Sequence, residues 1–232
     1  MKTKYTWILF DLDGTLFDYE KAESKAFEQM FNDLSLTYRT EYLHIYQTIN
    51  TQCWHELEKG RITPEELRTK RFKLLLNALG LIGDPERCSE SYLQNLSQVS
   101  VMLEGAEEIL EYLVKHYRLM VVTNGLAQVQ HNRIQPIAHY FHDMLISEEL
   151  GVSKPDRMFF EEAFTRMDHP SKNEVLIVGD SLSSDIRGGY SYGIDTCWFN
   201  PNGLPKPDDI DITYEITSIY ALKSFLSPAI GD

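Results

Sequence analysis

Hydrophobic positions along the chain predict an α/β unit that is interrupted by a block of helices. A continuous apolar run at residues 5–10 is typical of a strand that is buried on both faces. From residue 22 to residue 98 the apolar positions recur at helical spacing instead, with Pro64 suited to a first helical turn and Gly80 to a helix end. This block therefore predicts helices and no strand.

Beyond residue 103, apolar runs alternate with segments of helical spacing. Strands are predicted at residues 119–123, 143–147, 174–179 and 195–199, and helices at 106–115, 127–137, 155–167 and 184–192. This alternation implies right-handed crossovers and a parallel sheet with helices on both faces. The predicted fold is a Rossmann-like α/β core of residues 1–17 and 101–232, with an all-helical cap domain of residues 18–100 inserted into it.

Polar residues follow four of the predicted strands, at the sheet edge where ligands bind in open parallel sheets. They are Asp11, Asp13, Thr123, Asn124, Lys154, Asp180 and Asp185. Asp11 and Asp13 are two residues apart, so an extended backbone directs both side chains to one side. Converging carboxylates repel one another unless a cation lies between them or one of them holds a proton, and their hard oxygens suit Mg²⁺. Lys154 then supplies a counter-charge, and Thr123 a hydroxyl that can donate to a phosphate.

These residues carry a resemblance to the haloacid dehalogenase (HAD) superfamily. Its four motifs are matched in order by DLDGT, VVTNG, SKP and GDSLSSD, and the helical block after the first motif resembles the type 1 cap of that superfamily. The resemblance extends over essentially the whole chain. An inactive binding protein on the same fold has no support in the sequence, because no catalytic position is replaced.

The resemblance implies a catalytic role for each residue. Asp11 would attack phosphorus and form an aspartyl-phosphate. Asp13 would protonate the leaving alkoxide and then deprotonate the water that releases phosphate. Thr123 and Lys154 would hold the phosphoryl oxygens, and Asn124 is a further candidate for a substrate contact. Dehalogenating relatives attack carbon and do not need an acid two residues after the nucleophile, so Asp13 favours phosphoryl transfer.

The resemblance also implies a Mg²⁺ site. The metal would be bound by the carboxylate of Asp11, the backbone carbonyl of Asp13 and the carboxylate of Asp180. Asp185 would lie outside the direct ligands and orient metal-bound water.

Three core stretches resemble the pyrimidine 5′-nucleotidase branch of the superfamily: VVTNGLAQVQHNRI, ISEELGVSKPDRMFFEEA and VLIVGDSLSSDIRGGYSYGIDTCWFN. That branch removes the 5′ phosphate from UMP, dUMP and dTMP, which implies that the small phosphate ester used as substrate is a pyrimidine nucleoside 5′-monophosphate. A sugar-phosphate phosphatase and a phosphomutase share the same motifs and stay open. In the helical block, Arg61, Arg68 and Arg71 are interpreted as lying on solvent-exposed helix faces. The alternative is that they contact a substrate.

Charge and cysteine content narrow the class of protein. A formal net charge of −13 disfavours nucleic acid and anionic membranes as partners. The first apolar run meets acids too early for a signal peptide, and no run approaches the roughly 18 apolar residues of a membrane helix. Three distant cysteines, Cys53, Cys88 and Cys197, favour a reducing cytoplasm over a disulfide framework or zinc site. The oligomeric state cannot be predicted from these features.

Overall fold

A computed structural model describes residues 4–226 of the chain. Within this range, strands are found at β1 (Trp7–Phe10), β2 (Arg118–Thr123), β3 (Asp143–Ile146), β4 (Val175–Gly179), β5 (Asp195–Phe199) and β6 (Tyr214–Ile216). They form one sheet in the order β3-β2-β1-β4-β5-β6, and all five pairings are parallel. The predicted parallel α/β fold is confirmed, whereas β6 was not predicted.

Helices lie in the connections from β1 through β5, and one more helix follows β6. They are α1 (Tyr19–Asp33), α2 (Glu41–Glu58), α3 (Pro64–Leu79), α4 (Pro85–Ser97), α5 (Ala106–Leu113), α6 (Ala127–Arg133), α7 (Ser147–Leu150), α8 (Arg157–Arg166), α9 (Arg187–Tyr192) and α10 (Leu222–Leu226). Helix α6 is shorter than predicted, because Pro136 disfavours helical backbone at the residue before it. Of the helices between residues 4 and 226, none has the length and apolar character needed to cross a membrane.

The central strands are buried on both faces because two hydrophobic clusters sandwich the sheet. Ile8 and Phe10 of β1 belong to one cluster, together with apolar residues of α5 and α10. Trp7 and Leu9 belong to the other, together with apolar residues of α8. Alternate side chains of a strand point to opposite faces, so this division follows directly from the sequence of β1.

The chain divides into two compact units. One comprises the residues up to Tyr19, Val101–Ala127 and the residues from Ile134 onward, and it contains the sheet. The other comprises Glu20–Ser100 and Gln128–Arg133 and is helical. The domain boundaries drawn from the sequence stay a prediction.

The helical unit buries an arginine. Arg71 is 1% exposed, and its guanidinium donates to the side-chain oxygen of Asn50 at 3.0 Å and lies 5.1 Å from the ring centre of Tyr92. The interpretation of Arg71 as a solvated residue is therefore wrong. Arg71 lies one helical turn after Leu67 and one before Leu75, on the buried face of α3, and this spacing is visible in the sequence.

Candidate active site

Three of the predicted site residues lie at the carboxyl ends of adjacent strands. Asp11 follows β1, and its amide still donates to the carbonyl of Val178 in β4 at 3.0 Å. Thr123 is the last residue of β2, and Asp180 follows β4 directly. All of these residues belong to the unit that contains the sheet. Parallel pairing of β2, β1 and β4 thus brings together residues from distant parts of the chain.

Lys154 joins two of the acids in the interior of this unit. Its ammonium group donates to Asp11 Oδ1 at 2.7 Å, to Asp185 Oδ1 at 2.6 Å and to the carbonyl of Val122 at 2.6 Å. Its side chain is 1% exposed. The three acceptors satisfy the three N–H groups of the ammonium, so Lys154 is held at a defined position.

Asn124 fixes the backbone of Lys154. Its side-chain Nδ2 donates to the Lys154 carbonyl at 2.9 Å, and its Oδ1 accepts from the Lys154 amide at 2.9 Å. Both polar atoms of the Asn124 side chain thus contact Lys154, which was not predicted. The hydroxyl of Thr123 is buried and accepts from the Gly125 amide at 3.1 Å.

Three carboxylates converge beside Lys154. Asp11, Asp180 and Asp185 each offer an oxygen within 4.8 Å of the others. Asp185 is fully buried and also accepts from the Ser181 amide at 3.1 Å. It lies in a π-helical turn, Leu182–Ile186, that precedes α9. Asp13 is less buried than Asp11 and lies in the loop after β1, where it forms an isolated bridge with Phe17.

Burial and mutual repulsion perturb the ionisation of this cluster. Desolvation raises the pKa of Asp11 well above its ordinary value; Lys154 opposes this rise, and the nearby acids Asp185 and Asp180 add to it. Desolvation and the Asp185 carboxylate raise the pKa of Asp180 to about 7. Burial alone would lower the pKa of Lys154, but Asp11 and Asp185 raise it, so Lys154 is charged. Three acids around a single ammonium leave an excess of negative charge, and this suits a divalent cation.

Two residues that support Asp180 were not predicted. The hydroxyl of Thr15 accepts from the Asp180 amide at 3.0 Å and donates to Asp180 Oδ1 at 3.2 Å. The indole Nε1 of Trp198 donates to the Asp180 carbonyl at 2.9 Å. Thr15 lies within the DLDGT motif, and its place in this motif is the sequence feature from which its role could have been predicted. A buried indole N–H requires an acceptor, but the sequence does not identify which one.

Two glycines let the backbone approach the acids closely. Gly14 has φ +84°, and a Cβ there would lie 2.5 Å from an oxygen of Asp180. A Cβ on Gly179 would lie 2.3 Å from an oxygen of Asp185. Any side chain at either position would displace a carboxylate of the cluster.

Known proteins are similar to this chain in sequence and in fold. The family model for haloacid dehalogenase-like hydrolases matches residues 8–199. The HAD-hydrolase YfnB of Bacillus subtilis is 33% identical over 226 residues, 97% of this chain and 96% of YfnB. A crystal structure of YfnB bound to magnesium superposes with a TM-score of 0.91 and covers 97% of this chain and 100% of that one.

Two further relatives have names that state an activity. The pyrimidine 5′-nucleotidase YjjG of Escherichia coli is 32% identical over 96% of this chain and 98% of its own length. The pyrimidine 5′-nucleotidase PynA of Streptococcus pneumoniae is 35% identical over 92% of each. The resemblance drawn from the motifs is thereby confirmed by independent comparisons over nearly the whole chain.

Proposed function

We propose, from the premise that this chain belongs to the haloacid dehalogenase-like hydrolase family, that it removes the 5′ phosphate from pyrimidine nucleoside monophosphates through a covalent intermediate on Asp11. The observation that carries the chemistry is the buried contact between Lys154 and Asp11 beside two further acids. The similarity to two pyrimidine 5′-nucleotidases supports the substrate class, for which UMP, dUMP and dTMP are the first candidates.

Asp11 would act as the nucleophile. One carboxylate oxygen attacks phosphorus, a P–O bond to Asp11 forms, and the bond to the nucleoside oxygen breaks. Asp11 must be ionised to attack, although burial raises its pKa. The ammonium of Lys154 at 2.7 Å opposes this rise and keeps Asp11 available as a carboxylate.

Asp13 would transfer the protons. It gives a proton to the departing alkoxide and then takes one from the water that attacks the phosphorus of the aspartyl-phosphate. This second step releases inorganic phosphate and restores Asp11. The half-buried position of Asp13 in the loop after β1 supports this role, because a group that exchanges protons with water must reach it.

Thr123 would bind a phosphoryl oxygen, and Lys154 would offset the negative charge of the phosphoryl group through its fixed positive charge, since its three N–H groups already have acceptors. A charged donor that is already held in place stabilises negative charge without reorganising during the reaction. Asn124 was predicted to contact the substrate, but its two hydrogen bonds to the Lys154 backbone support a role through Lys154 instead. Asn124 would then act as a positioning residue.

The residues that would hold Mg²⁺ are Asp11, Asp180 and the backbone carbonyl of Asp13, with Asp185 orienting water beside them. The oxygen donors and the excess of negative charge fit this ion. When bound, Mg²⁺ neutralises charge on the phosphoryl group. Thr15 and Trp198 hold the backbone and side chain of Asp180 in place for this task.

Phosphate release tests the proposal. The purified protein is assayed with UMP, dUMP, dTMP, purine monophosphates and sugar phosphates, with Mg²⁺ present or chelated, and the organic products are identified. Mg²⁺-dependent release that favours the pyrimidine nucleotides is the expected result. Preference for a sugar phosphate would refute the substrate, and a rearranged phosphate ester without release would indicate a mutase. Asp11→Asn serves as the inactive control.

A further inference from the structure

Two short segments of the sheet unit run antiparallel to each other where the chain leaves this unit and where it returns. They are residues 16–18, before the helical block, and residues 101–103, after it. Phe17 and Met102 form an antiparallel bridge, and backbone hydrogen bonds of 2.8 and 2.9 Å lie on either side of it. The two segments therefore form a paired linker ribbon rather than two independent connections.

The linker ribbon also holds the loop that carries Asp13. Asp13 forms a second bridge with Phe17, and the Phe17 carbonyl accepts from the Gly14 amide at 2.9 Å. Phe17 is fully buried, so its backbone has little freedom to move independently of its neighbours. Since Phe17 contacts Asp13 as well as Met102, a displacement of residues 101–103 is passed on to Asp13.

A buried arginine fixes the residues that lead into the returning segment of the ribbon. Arg133 is the last residue of α6 and is fully buried, and its Nε donates to the Val99 carbonyl at 3.0 Å. The Ser100 hydroxyl donates to the Arg133 carbonyl at 2.9 Å. Val99 and Ser100 directly follow the end of α4, where backbone carbonyls lack partners within the helix. Two hydrogen bonds in opposite directions thus join α6 to residues 99–100.

Stabilisation of α6 alone does not account for an arginine at this position. A buried guanidinium has a large desolvation cost, which an apolar side chain of similar size would not have. What the arginine adds is a donor for a backbone carbonyl. Arg133, Val99 and Ser100 belong to the helical unit, and the linker ribbon and Asp13 belong to the sheet unit. The peptide bond between Ser100 and Val101 connects the two sets of contacts.

We propose that Arg133 is a positioning residue for Asp13, on which it acts through residues 99–102 and Phe17. The inference rests on the proposed function, in which Asp13 protonates the departing alkoxide. A proton donor has to be held within hydrogen-bond reach of the leaving oxygen, and small displacements of such a group slow the reaction strongly. Loss of the Arg133 side chain releases residues 99–100 and with them the ribbon that holds Asp13.

The test compares two substrates that differ only in the atom at which the leaving group departs. The leaving group of UMP is an alkoxide, which needs a proton. In the analogue with sulfur in place of the bridging 5′ oxygen, the leaving group is a thiolate, which is stable without one. The kcat/KM of both substrates is measured with Mg²⁺. The ratio of the two values reports proton donation, because the amount of folded protein and the binding of the nucleoside affect both substrates equally.

In Arg133→Gln, kcat/KM is expected to fall roughly tenfold further for UMP than for the sulfur analogue. Arg133→Lys keeps a cationic donor for the Val99 carbonyl and should recover part of this loss. Ser100→Ala removes only one hydrogen bond and should change the ratio in the same direction by about twofold to threefold, which keeps the test available if Arg133→Gln does not fold.

Arg71→Gln is the matched control. Arg71 is also a buried arginine of the helical unit, but it bonds the Asn50 side chain and not the residues that enter the ribbon. Its replacement is expected to leave the ratio of the two kcat/KM values unchanged, even where it lowers both of them.

Two results would overturn the proposal. One is an unchanged ratio in both Arg133→Gln and Ser100→Ala, and the other is an equal change of the ratio in Arg71→Gln, which would assign the effect to any disturbance of the helical unit. Asp13→Asn separates these failures from a failure of the proposed function. It should slow UMP more than the sulfur analogue whatever Arg133 does, and an equal loss for both substrates would refute the role of Asp13 itself.

Discussion

Replacing Lys154 with methionine removes the charge that compensates the acids while nearly preserving the shape of the side chain. The structure gives the expected magnitude. Lys154 is 1% exposed and contacts Asp11 at 2.7 Å and Asp185 at 2.6 Å, so Lys154→Met leaves two carboxylates without their counter-ion. Removing one partner of a buried ion pair costs about 3–5 kcal/mol. We expect a loss of roughly 3 kcal/mol at pH 8, because some of the cost is relieved by proton uptake.

The loss should shrink as the pH falls. Desolvation already raises the pKa of Asp11, and in Lys154→Met the opposing effect of the ammonium is gone. Between the ordinary pKa of Asp11 and its raised value in the folded state, the folded protein holds more protons than the unfolded one. Stability therefore decreases as the pH rises through this interval. The difference between the variant and the unmodified protein is expected to be larger at pH 8 than at pH 5.

Guanidinium unfolding of metal-free protein measures this effect. Trp7 and Trp198 are buried in the sheet unit and Trp54 lies in α2 of the helical unit, so a Trp54→Phe background restricts the fluorescence signal to the sheet unit. Arg157→Gln, which removes an exposed ion pair, is the control and should cost about 1 kcal/mol or less. A loss below about 1 kcal/mol for Lys154→Met at pH 8, or an equal loss at both pH values, would refute the reasoning.

Three further predictions concern the acids. Asp13→Asn should slow turnover at least about a hundredfold in phosphate-release assays, since proton transfer is lost; near-normal rates would remove Asp13 from its role. Trp198→Phe should raise the Mg²⁺ dissociation constant a few-fold in calorimetry, because the Asp180 carbonyl loses its donor; an unchanged constant would show that this hydrogen bond does not affect the metal. Adding Mg²⁺ to metal-free protein near pH 6 should release protons, since the pKa of Asp180 is raised to about 7. At pH 9 Asp180 is already ionised, so fewer protons should be released; equal or greater release at pH 9 would show that its pKa is not raised.

Much of the sheet could be predicted because its central strands are continuous apolar runs. β1 and β4 are fully buried, so their sequences contain no polar interruption. β6 could not be predicted in the same way. It has three residues, of which Glu215 is exposed and only Ile216 is buried, so its pattern does not differ from that of a loop.

The acids and Lys154 could be predicted because each follows a strand end or a recognisable motif. The contacts that hold them could not, because they depend on tertiary structure. Thr15 and Asp180 are 165 residues apart, and no local pattern indicates that one hydroxyl would bond both the amide and the carboxylate of the same residue. The role of Asn124 could not be predicted either, because an asparagine side chain can bond a ligand or the backbone equally well.

The central claim is that Asp11 carries the phosphoryl group, and trapping that group tests it most directly. Asp13→Asn protein is mixed with UMP and Mg²⁺ and quenched in acid within one turnover, and its peptides are analysed by mass spectrometry. The account predicts one added phosphoryl group on the peptide that contains Asp11, more of it than in the unmodified protein, and none in Asp11→Asn. Release of phosphate from UMP by the unmodified protein without any phosphorylated Asp11 peptide in either sample would contradict it.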